Sequence, residues 1–333
     1  MATCIRVLVA VLFAFVLPQQ RVQAAVSAYI FASNFDPAPD CSSIGLAGCP
    51  GFAIETPSTD IAAGALVDAC YSFRTPNAVS AIGRFSSITG SLVSHIIVWQ
   101  TTDAGGLPAD GLTPGTFTTN CGLSAGANGR TFTWLYAAHH PVDELRMPDD
   151  DGTAKPISFE LPANAAGFIE IIYLNTSGDT KTAPPVRFVA NERAAGPYTS
   201  TASYMGLKFL INIPSGATSD VIGTCNGTPT APAYWWFSTQ THIHATGTKI
   251  ERVGAATSTL LTSSDWQDPA IAAYPASPFY TLSSGDKLRI TCTYLNNSGG
   301  TLTFGDDYQH AEVCLGVAYV FPATQSQTDF TCN

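Results

Sequence analysis

The chain has 333 residues and a formal net charge of −10, with 15 Lys and Arg against 25 Asp and Glu, which excludes general nucleic-acid binding because a phosphate backbone requires positive charge. Only 12% of residues are charged and 45% are hydrophobic, so the chain can bury a sizeable core. The 28 Gly and 22 Pro favour a turn-rich all-β protein, and they exclude coiled coils and helical bundles.

The first segment of the chain has the features of a secretory signal peptide. Arg6 is followed by an unbroken apolar stretch from Val7 to Leu17, which is too short to span a bilayer. Val22-Gln23-Ala24 then places small residues at the two positions that determine cleavage. We therefore expect residues 1–24 to be a signal peptide, the mature protein to be secreted or periplasmic, and no membrane association after cleavage.

Short apolar runs rich in β-branched and aromatic residues recur along the rest of the chain, each bounded by Gly, Pro, Asn or Ser. Such runs predict strands in antiparallel sheets, and therefore sandwiches or jelly rolls. The polar segment Asn175–Pro185, which ends in two prolines, predicts a domain joint. The clearest predicted strands cover residues 94–99, 167–174, 207–213, 287–295 and 314–321.

Eight cysteines remain once the leader is removed, and an even number in an oxidising compartment predicts up to four disulfides. The sequence contains no Cys-x-x-Cys pair, which argues against zinc ribbons and thioredoxin chemistry. The cysteines form two groups of four, which indicates two separately cross-linked halves but leaves the pairing open. They are Cys41, Cys49, Cys70, Cys121, Cys225, Cys292, Cys314 and Cys332.

The strongest candidate for chemistry is a His-x-His pair, His242 and His244. In a strand, side chains at i and i+2 project from the same face, and two imidazoles there can chelate one ion such as Cu or Zn. A solvated polar face is the other explanation of the same pattern. The remaining histidines are His95, His139, His140 and His310.

These residues lie in segments that resemble the copper type II, ascorbate-dependent monooxygenases, the family of peptidylglycine α-hydroxylating monooxygenase and dopamine β-monooxygenase. The similarity is strongest in the second half. There, the family's strand with the copper-binding His-x-His pair resembles YWWFSTQTHIHATGTK, and its Asp-Glu-Met-Cys strand resembles QHAEVCLGVAYVFP. In the first half, ACYSF resembles a cysteine-bearing strand and SHIIVW a strand with a His-His pair.

The resemblance implies two tandem jelly-roll β-sandwich domains, which we place at residues 26–180 and 181–333. It implies an exported copper protein that hydroxylates an activated C–H bond with O2, with ascorbate as reductant and a small molecule or peptide as substrate. It also implies the disulfides Cys225–Cys332, Cys292–Cys314 and Cys70–Cys121, and it leaves Cys41–Cys49 as the remaining pair.

Several functional positions of the family carry other residues in this chain. In the first domain, the resemblance places Ser94 and Tyr173 where the family has copper-binding histidines, so His95 alone is kept. The position of the Arg that grips a peptide carboxylate falls on Gln240. The first-domain copper site is therefore expected to be degenerate, and an amidating-type peptide substrate is disfavoured.

In the second domain the resemblance keeps His242 and His244, but the position of the Met ligand falls on Val313. An alkyl side chain has no lone pair and cannot coordinate a metal. We therefore predict one copper ion at His242 and His244, with His310, solvent or His95 as further donors.

Two other classes of function stay open. The loss of ligands beside intact cysteines favours a non-catalytic pair of jelly rolls that acts as a binding or structural module. The related paired jelly roll of peptide:N-glycosidase F suggests a glycan-handling enzyme, which requires carboxylates in the cleft.

Overall fold

The computed structural model describes residues 51–78, 80–101, 115, 117–118, 132–193, 195–226, 233–323 and 330–333. Every regular element within these residues is a β-strand, which confirms the all-β prediction. Within the same residues, no helix is long and apolar enough to cross a membrane. The predicted signal peptide and Cys41, Cys49 and Cys121 lie outside the described residues.

The strands of the N-terminal half are β1 (Gly51–Glu55), β2 (Thr59–Ile61), β3 (Leu66–Arg74), β4 (Ser80–Ile88), β5 (Val93–Thr101), β6 (Phe117–Thr118), β7 (Phe132–Ala138), β8 (Val142–Arg146), β9 (Ile157–Leu161), β10 (Ala166–Leu174), β11 (Lys181–Ala183) and β12 (Arg187–Glu192). One sheet has the order β6-β3-β10-β5-β7, and another begins β1-β12-β4-β9. Phe85 and Phe188 of the second sheet pack on Tyr136 of the first, which closes the N-terminal core.

The strands of the C-terminal half are β13 (Thr199–Leu207), β14 (Asn212–Ile213), β15 (Thr218–Cys225), β16 (Ala233–Gln240), β17 (Ala245–Val253), β18 (Ser258–Ser263), β19 (Ala272–Ala273), β20 (Tyr280–Thr281), β21 (Lys287–Leu295), β22 (Leu302–Phe304), β23 (Ala311–Glu312), β24 (Leu315–Phe321) and β25 (Phe330–Thr331). A four-stranded sheet has the order β15-β21-β17-β18, and a three-stranded sheet has the order β14-β22-β23.

The two halves share one sheet. β9 pairs in parallel with β13, so the order β1-β12-β4-β9 continues into β13-β24-β16-β19. β11 pairs with β2, and β12 pairs with β1 and β4, so the chain still pairs with strands of the N-terminal half up to Glu192. Pairing with strands of the C-terminal half begins with β13, which starts at Thr199. This change lies beyond the predicted joint at Asn175–Pro185.

β24 contributes to two hydrophobic cores, one on each side of the shared sheet. Val317 and Tyr319 belong to the N-terminal core, whereas Ala318 and Val320 belong to the C-terminal core. Because both faces are covered, all seven residues of the strand are buried. A continuous apolar run in the sequence is typical of such a strand.

The predicted strand over residues 207–213 is wrong. β13 ends at Leu207, because its partner β24 begins at Leu315, which pairs with Leu207. The chain then runs over the surface, and the side chains of Phe209 and Leu210 are 45% and 80% exposed.

Two disulfides cross-link the C-terminal half. They are Cys225–Cys332 and Cys292–Cys314, the pairing that the resemblance implied. Cys70 is also disulfide-bonded, and its expected partner Cys121 lies outside the described residues.

A buried asparagine turn follows the corresponding strand in each half, with the sequences YLNTSG after β10 and YLNNSG after β21. Asn175 Nδ2 donates to Ile61 O at 2.9 Å, and Asn296 Nδ2 donates to Ile213 O at 2.7 Å. Each Oδ1 accepts from the hydroxyl of the serine two residues later, at 2.7 and 2.8 Å. The two halves therefore repeat one local turn, which two near-identical six-residue segments form.

Candidate functional site

His242 and His244 lie in the turn between β16 and β17. The prediction that they occupy a strand and share its face is therefore wrong. The reason is the buried carboxyl group of Glu312, which accepts the backbone N–H of His242 at 2.9 Å and that of His244 at 2.8 Å. These N–H groups consequently pair with a side chain and not with a neighbouring strand. Burial raises the pKa of Glu312 to about 8.

The two imidazole rings have different partners. His242 Nδ1 donates to Ala311 O at 3.1 Å, and its ring stacks on Tyr308 with centroids 3.7 Å apart. His244 Nε2 donates to Gln309 O at 2.8 Å, and its Nδ1 lies 2.6 Å from Asn297 Oδ1. Both ring nitrogens of His244 are thus engaged by protein oxygens, whereas Nε2 of His242 has no hydrogen bond to any described residue.

The other predicted donors of the second domain do not join His242. His310 is 67% exposed and its Nδ1 lies 2.9 Å from Asp307 Oδ2. Val313 lines the same cavity as His242 but offers only alkyl carbons. Among the described residues, no group of three or more His, Cys, Asp or Glu is placed to hold a metal ion.

His95 lies in the contact between the two halves. Its ring stacks on His139 with centroids 5.4 Å apart, and its Nε2 lies 3.1 Å from Tyr308 Oη. Burial and the nearby rings of His139 and His242 hold the pKa of His95 well below its usual value. Ser94, where the resemblance places the first histidine of the family's His-His pair, accepts a hydrogen bond from Gln267 Nε2 at 3.2 Å.

Tyr173 does not lie beside His95. Ile172 is the residue of β10 that pairs with His95, and Tyr173 pairs with Val93 beyond a bulge. Because successive strand residues face opposite ways, the Tyr173 side chain packs in the N-terminal core. This position therefore does not face the remaining histidine of the first-domain site.

A cavity of about 90 Å3 lies where residues of both halves meet. This is several times the roughly 10–15 Å3 that a single water requires. The apolar part of its wall comprises Ile97, Trp99, Phe132, Met205, Leu207, Phe304, Val313 and Leu315. The polar part comprises Glu170, Gln240, His242, Asp306 and Tyr308.

Carboxyl groups from distant parts of the chain meet at this cavity. Glu170 and Asp306 line it, and Asp68 is the diagonal neighbour of Glu170 across β3 and β10. Burial, together with Asp306, raises the pKa of Asp68 to about 8, and burial and Asp68 raise the pKa of Glu170 well above its usual range. Trp99 Nε1 donates to Glu170 Oε2 at 2.7 Å. Sequence reasoning missed these acids because they lie far apart in the chain. The register of β3 and β10 brings Asp68 and Glu170 together, and Asp306 comes from the segment that follows β22.

Gln240, where the resemblance places the family's carboxylate-gripping Arg, is 3% exposed. Its Nε2 lies 3.2 Å from His95 Nε2 and donates to Thr241 O at 3.2 Å. Its Oε1 accepts no hydrogen bond from any described residue. Because a buried polar atom without a partner costs about 1–3 kcal/mol, a hydrogen-bond donor in the cavity would be stabilised by Gln240.

The residues present do not fit a copper ion. Of the predicted second-domain donors, His242 alone combines an unengaged ring nitrogen with a place on the cavity wall. Val313 cannot coordinate, His244 is engaged at both nitrogens, and His310 is exposed. One imidazole is fewer than the set of donors with which proteins hold copper.

The fold and the site define a disulfide-linked all-β protein with a cavity between two halves. Residues 202–332 match the family model for the copper type II ascorbate-dependent monooxygenase, C-terminal domain. The resemblance seen in the sequence is thereby confirmed over this region, in a family that depends on copper and ascorbate.

No curated protein gives a significant match to the chain. Among solved structures, the crystal structure of the STIV MCP has 10% sequence identity and a TM-score of 0.29, and the match covers 83% of this chain and 95% of that one. The structure of the infectious bursal disease virus Gt strain has 12% identity and a TM-score of 0.11, over 92% of this chain and 90% of that one. At these TM-scores neither structure bears on fold or function.

Proposed function

We propose that the protein is a secreted, non-catalytic binding module of two tandem jelly-roll domains, and that the cavity between its halves binds a small molecule. The observation that carries this proposal is the composition of the cavity wall. Both halves contribute to it, most of it is apolar, and a few polar groups converge on it, which is typical of ligand sites. Gln240 Oε1, buried without a described partner, supplies a polar anchor that a ligand can use.

Loss of catalysis follows from the replaced donors. The family's reaction requires metal ligands at the positions that Ser94, Tyr173 and Val313 occupy in this chain. Val313 has no donor atom, Ser94 replaces an imidazole with a hydroxyl, and the Tyr173 side chain packs in the N-terminal core. The disulfides of the C-terminal half are kept. The disulfide-linked scaffold is therefore kept where the metal ligands are not, as expected for a module that retains a binding role.

A glycan-handling enzyme requires carboxyl groups in the cleft, and Asp68, Glu170 and Asp306 provide carboxyl groups at or beside the cavity. Asp68 and Glu170, however, are buried deeply enough to raise both pKa values, and the surrounding wall is mostly apolar. A bulky, polar sugar substrate fits such a site poorly, so the geometry favours the binding module.

The binding role is tested by isothermal titration with three four-carbon probes: butylamine, 1-butanol and butyrate. We expect at least one of them to bind the wild-type protein, and Val313→Phe to abolish that binding because the larger ring fills the cavity. Ile271→Phe, at a side chain 58% exposed, is the matched control and should bind as the wild type does. Binding of no probe to the wild type would contradict the proposal.

Absence of turnover is tested by oxygen uptake in the presence of Cu(II) and ascorbate. We expect the wild-type protein to consume no more O2 than Cu(II) and ascorbate do without it. Uptake coupled to a hydroxylated product would overturn the non-catalytic role.

A further inference from the structure

We propose that residues 305–310, which lie between β22 and β23, form a pH-sensitive flap over the cavity. The flap is closed while the carboxyl groups of Asp68 and Glu170 hold protons, and their ionisation beside Asp306 releases it. As a control on ligand binding this inference rests on the proposed function. The opening itself is a property of the free protein and is measured without a ligand.

The three carboxyl groups meet across the contact between the halves. Glu170 of β10 and Asp306 of the flap both line the cavity, and Asp68 of β3 is the diagonal neighbour of Glu170. Two of the groups therefore belong to a sheet of the N-terminal half and the third to the C-terminal half. Repulsion between them acts to push the flap away from β3 and β10.

The surroundings of these carboxyl groups do not neutralise them. No Lys or Arg is among the described residues that line the cavity. The titratable groups that face the cluster are His242 and Tyr308 on the cavity wall, with His95 and Glu312 near Tyr308. Burial lowers the pKa of His242 to about 4 and holds that of His95 well below its usual value, so neither ring is charged at neutral pH.

The cluster gains negative charge only in alkaline solution. A buried carboxyl group resists ionisation because its charged form loses hydration. Burial, together with Asp306, raises the pKa of Asp68 to about 8, and burial and Asp68 raise the pKa of Glu170 well above its usual range. A protonated carboxyl group can donate a hydrogen bond to a neighbouring carboxylate, whereas two carboxylates only repel each other. The contact is therefore favourable at neutral pH and unfavourable above about pH 8.

The flap is less firmly held than the rest of the contact between the halves. The parallel pairing of β9 with β13 joins the halves through one sheet. The strands on either side of the flap, β22 and β23, are only three and two residues long. Beyond those strands the flap is held by Tyr308 and Gln309, which contact the rings of His95, His242 and His244. Short pairing and few contacts are typical of segments that open locally.

Opening is tested by acrylamide quenching of Trp99 fluorescence, because Trp99 lines the cavity, is 5% exposed and donates to Glu170 Oε2. The Trp99 signal is the difference between the wild-type protein and Trp99→Phe. From about pH 6 to about pH 9.5 we expect its quenching constant to rise at least ~3-fold, and to return when the pH is lowered. Far-UV circular dichroism should stay unchanged over this range, which separates local opening from unfolding.

Asp306→Asn keeps the shape of the side chain and removes the negative charge that faces Asp68 and Glu170. We expect it to abolish more than about half of the pH-dependent rise in quenching. Asp307→Asn is the matched control. Asp307 is the next residue of the flap, but its side chain is 59% exposed and pairs with His310 at the surface. This variant should show the same rise as the wild-type protein.

The outcomes separate the flap from the binding function. If Trp99 quenching does not rise, or rises equally in Asp306→Asn and Asp307→Asn, the flap is wrong whether or not a probe binds in the cavity. A rise that is accompanied by loss of the far-UV signal reports unfolding and overturns the flap as well. If the rise is local and depends on Asp306 but no probe binds, the flap stands and the binding function is wrong.

Discussion

In the N-terminal half Asn175 closes the turn after β10, and in the C-terminal half Asn296 closes the turn after β21 in the same way. Asp68 of β3 corresponds to Asp220 of β15, since each pairs at the same register with the strand before that turn. Asp68 is largely buried and lies beside the carboxyl groups of the cavity wall. Asp220 is exposed, and its Oδ1 accepts a hydrogen bond from Thr293 Oγ1 at 2.6 Å. The halves therefore share a scaffold and differ in what they present to the cavity.

This difference shows which positions tolerate change. A buried asparagine that bonds several backbone groups is fixed by the fold, because its loss leaves those groups without partners. A position such as Val313, where the resemblance places the family's Met ligand, can carry an alkyl side chain without unfolding the chain, provided that this side chain packs.

The largest effect is expected from breaking the shared turn. Asn175→Ala and Asn296→Ala should each lower the free energy of unfolding by about 3 kcal/mol or more, because buried carbonyls lose their donors. Chemical denaturation measures the loss. Asn226→Ala is the control, since Asn226 is exposed and accepts only from Lys287 Nζ among the bonds described. Unequal effects of the two buried asparagines would break the equivalence of the halves.

A somewhat smaller effect is expected at the Cys225–Cys332 disulfide. A Cβ at Gly206 would lie 2.6 Å from Cys225 Sγ and 2.8 Å from Cys332 Sγ. Gly206→Ala should therefore destabilise the protein by about 2 kcal/mol through overpacking. Gly300→Ala, where a Cβ meets nothing within 4 Å, should be nearly neutral. Equal thermal stability of the two variants would contradict the close packing around the disulfide.

The acid cluster gives a pH-dependent effect. The pKa of Asp68 is raised from 3.8 to about 8 by folding, so the folded state binds more protons than the unfolded state between these values. Stability is therefore expected to fall as pH rises through this interval. Between about pH 5 and pH 8, the free energy of unfolding of Asp68→Asn should therefore fall by on the order of 2 kcal/mol less than that of the wild type.

The matched variant is Asp220→Asn, at the corresponding exposed position. Denaturation curves across the pH range should show the wild-type slope for Asp220→Asn and a flatter slope for Asp68→Asn. The same slope for both variants would show that Asp68 titrates normally in the folded protein.

The smallest effect is expected at His310, whose side chain is 67% exposed. His310→Ala should change the free energy of unfolding by less than about 0.5 kcal/mol and leave butylamine binding unchanged. A large loss of stability or of butylamine binding in His310→Ala would place His310 inside the site.

The strands with continuous apolar runs, such as β10 and β24, could be predicted from sequence because burial on both faces leaves a visible pattern. The turn at His242 and His244 could not, because it depends on Glu312, which lies far along the chain and takes two backbone N–H groups. The roles of Glu170 and Asp68 were also invisible, since they follow from the register of β3 and β10. Local pattern thus predicted individual strands and the all-β class, whereas the site depends on contacts between distant segments.

Whether the cavity holds copper is tested by isothermal titration of the mature protein with Cu(II), compared with the double variant His242→Ala, His244→Ala. The arrangement of donors predicts no stoichiometric copper site and the same weak, nonspecific heats for both proteins. Copper binding at His242 and His244, the hypothesis from sequence, predicts one tightly bound ion per wild-type chain that disappears in the variant. That result would contradict the proposed role of the protein as a binding module without copper.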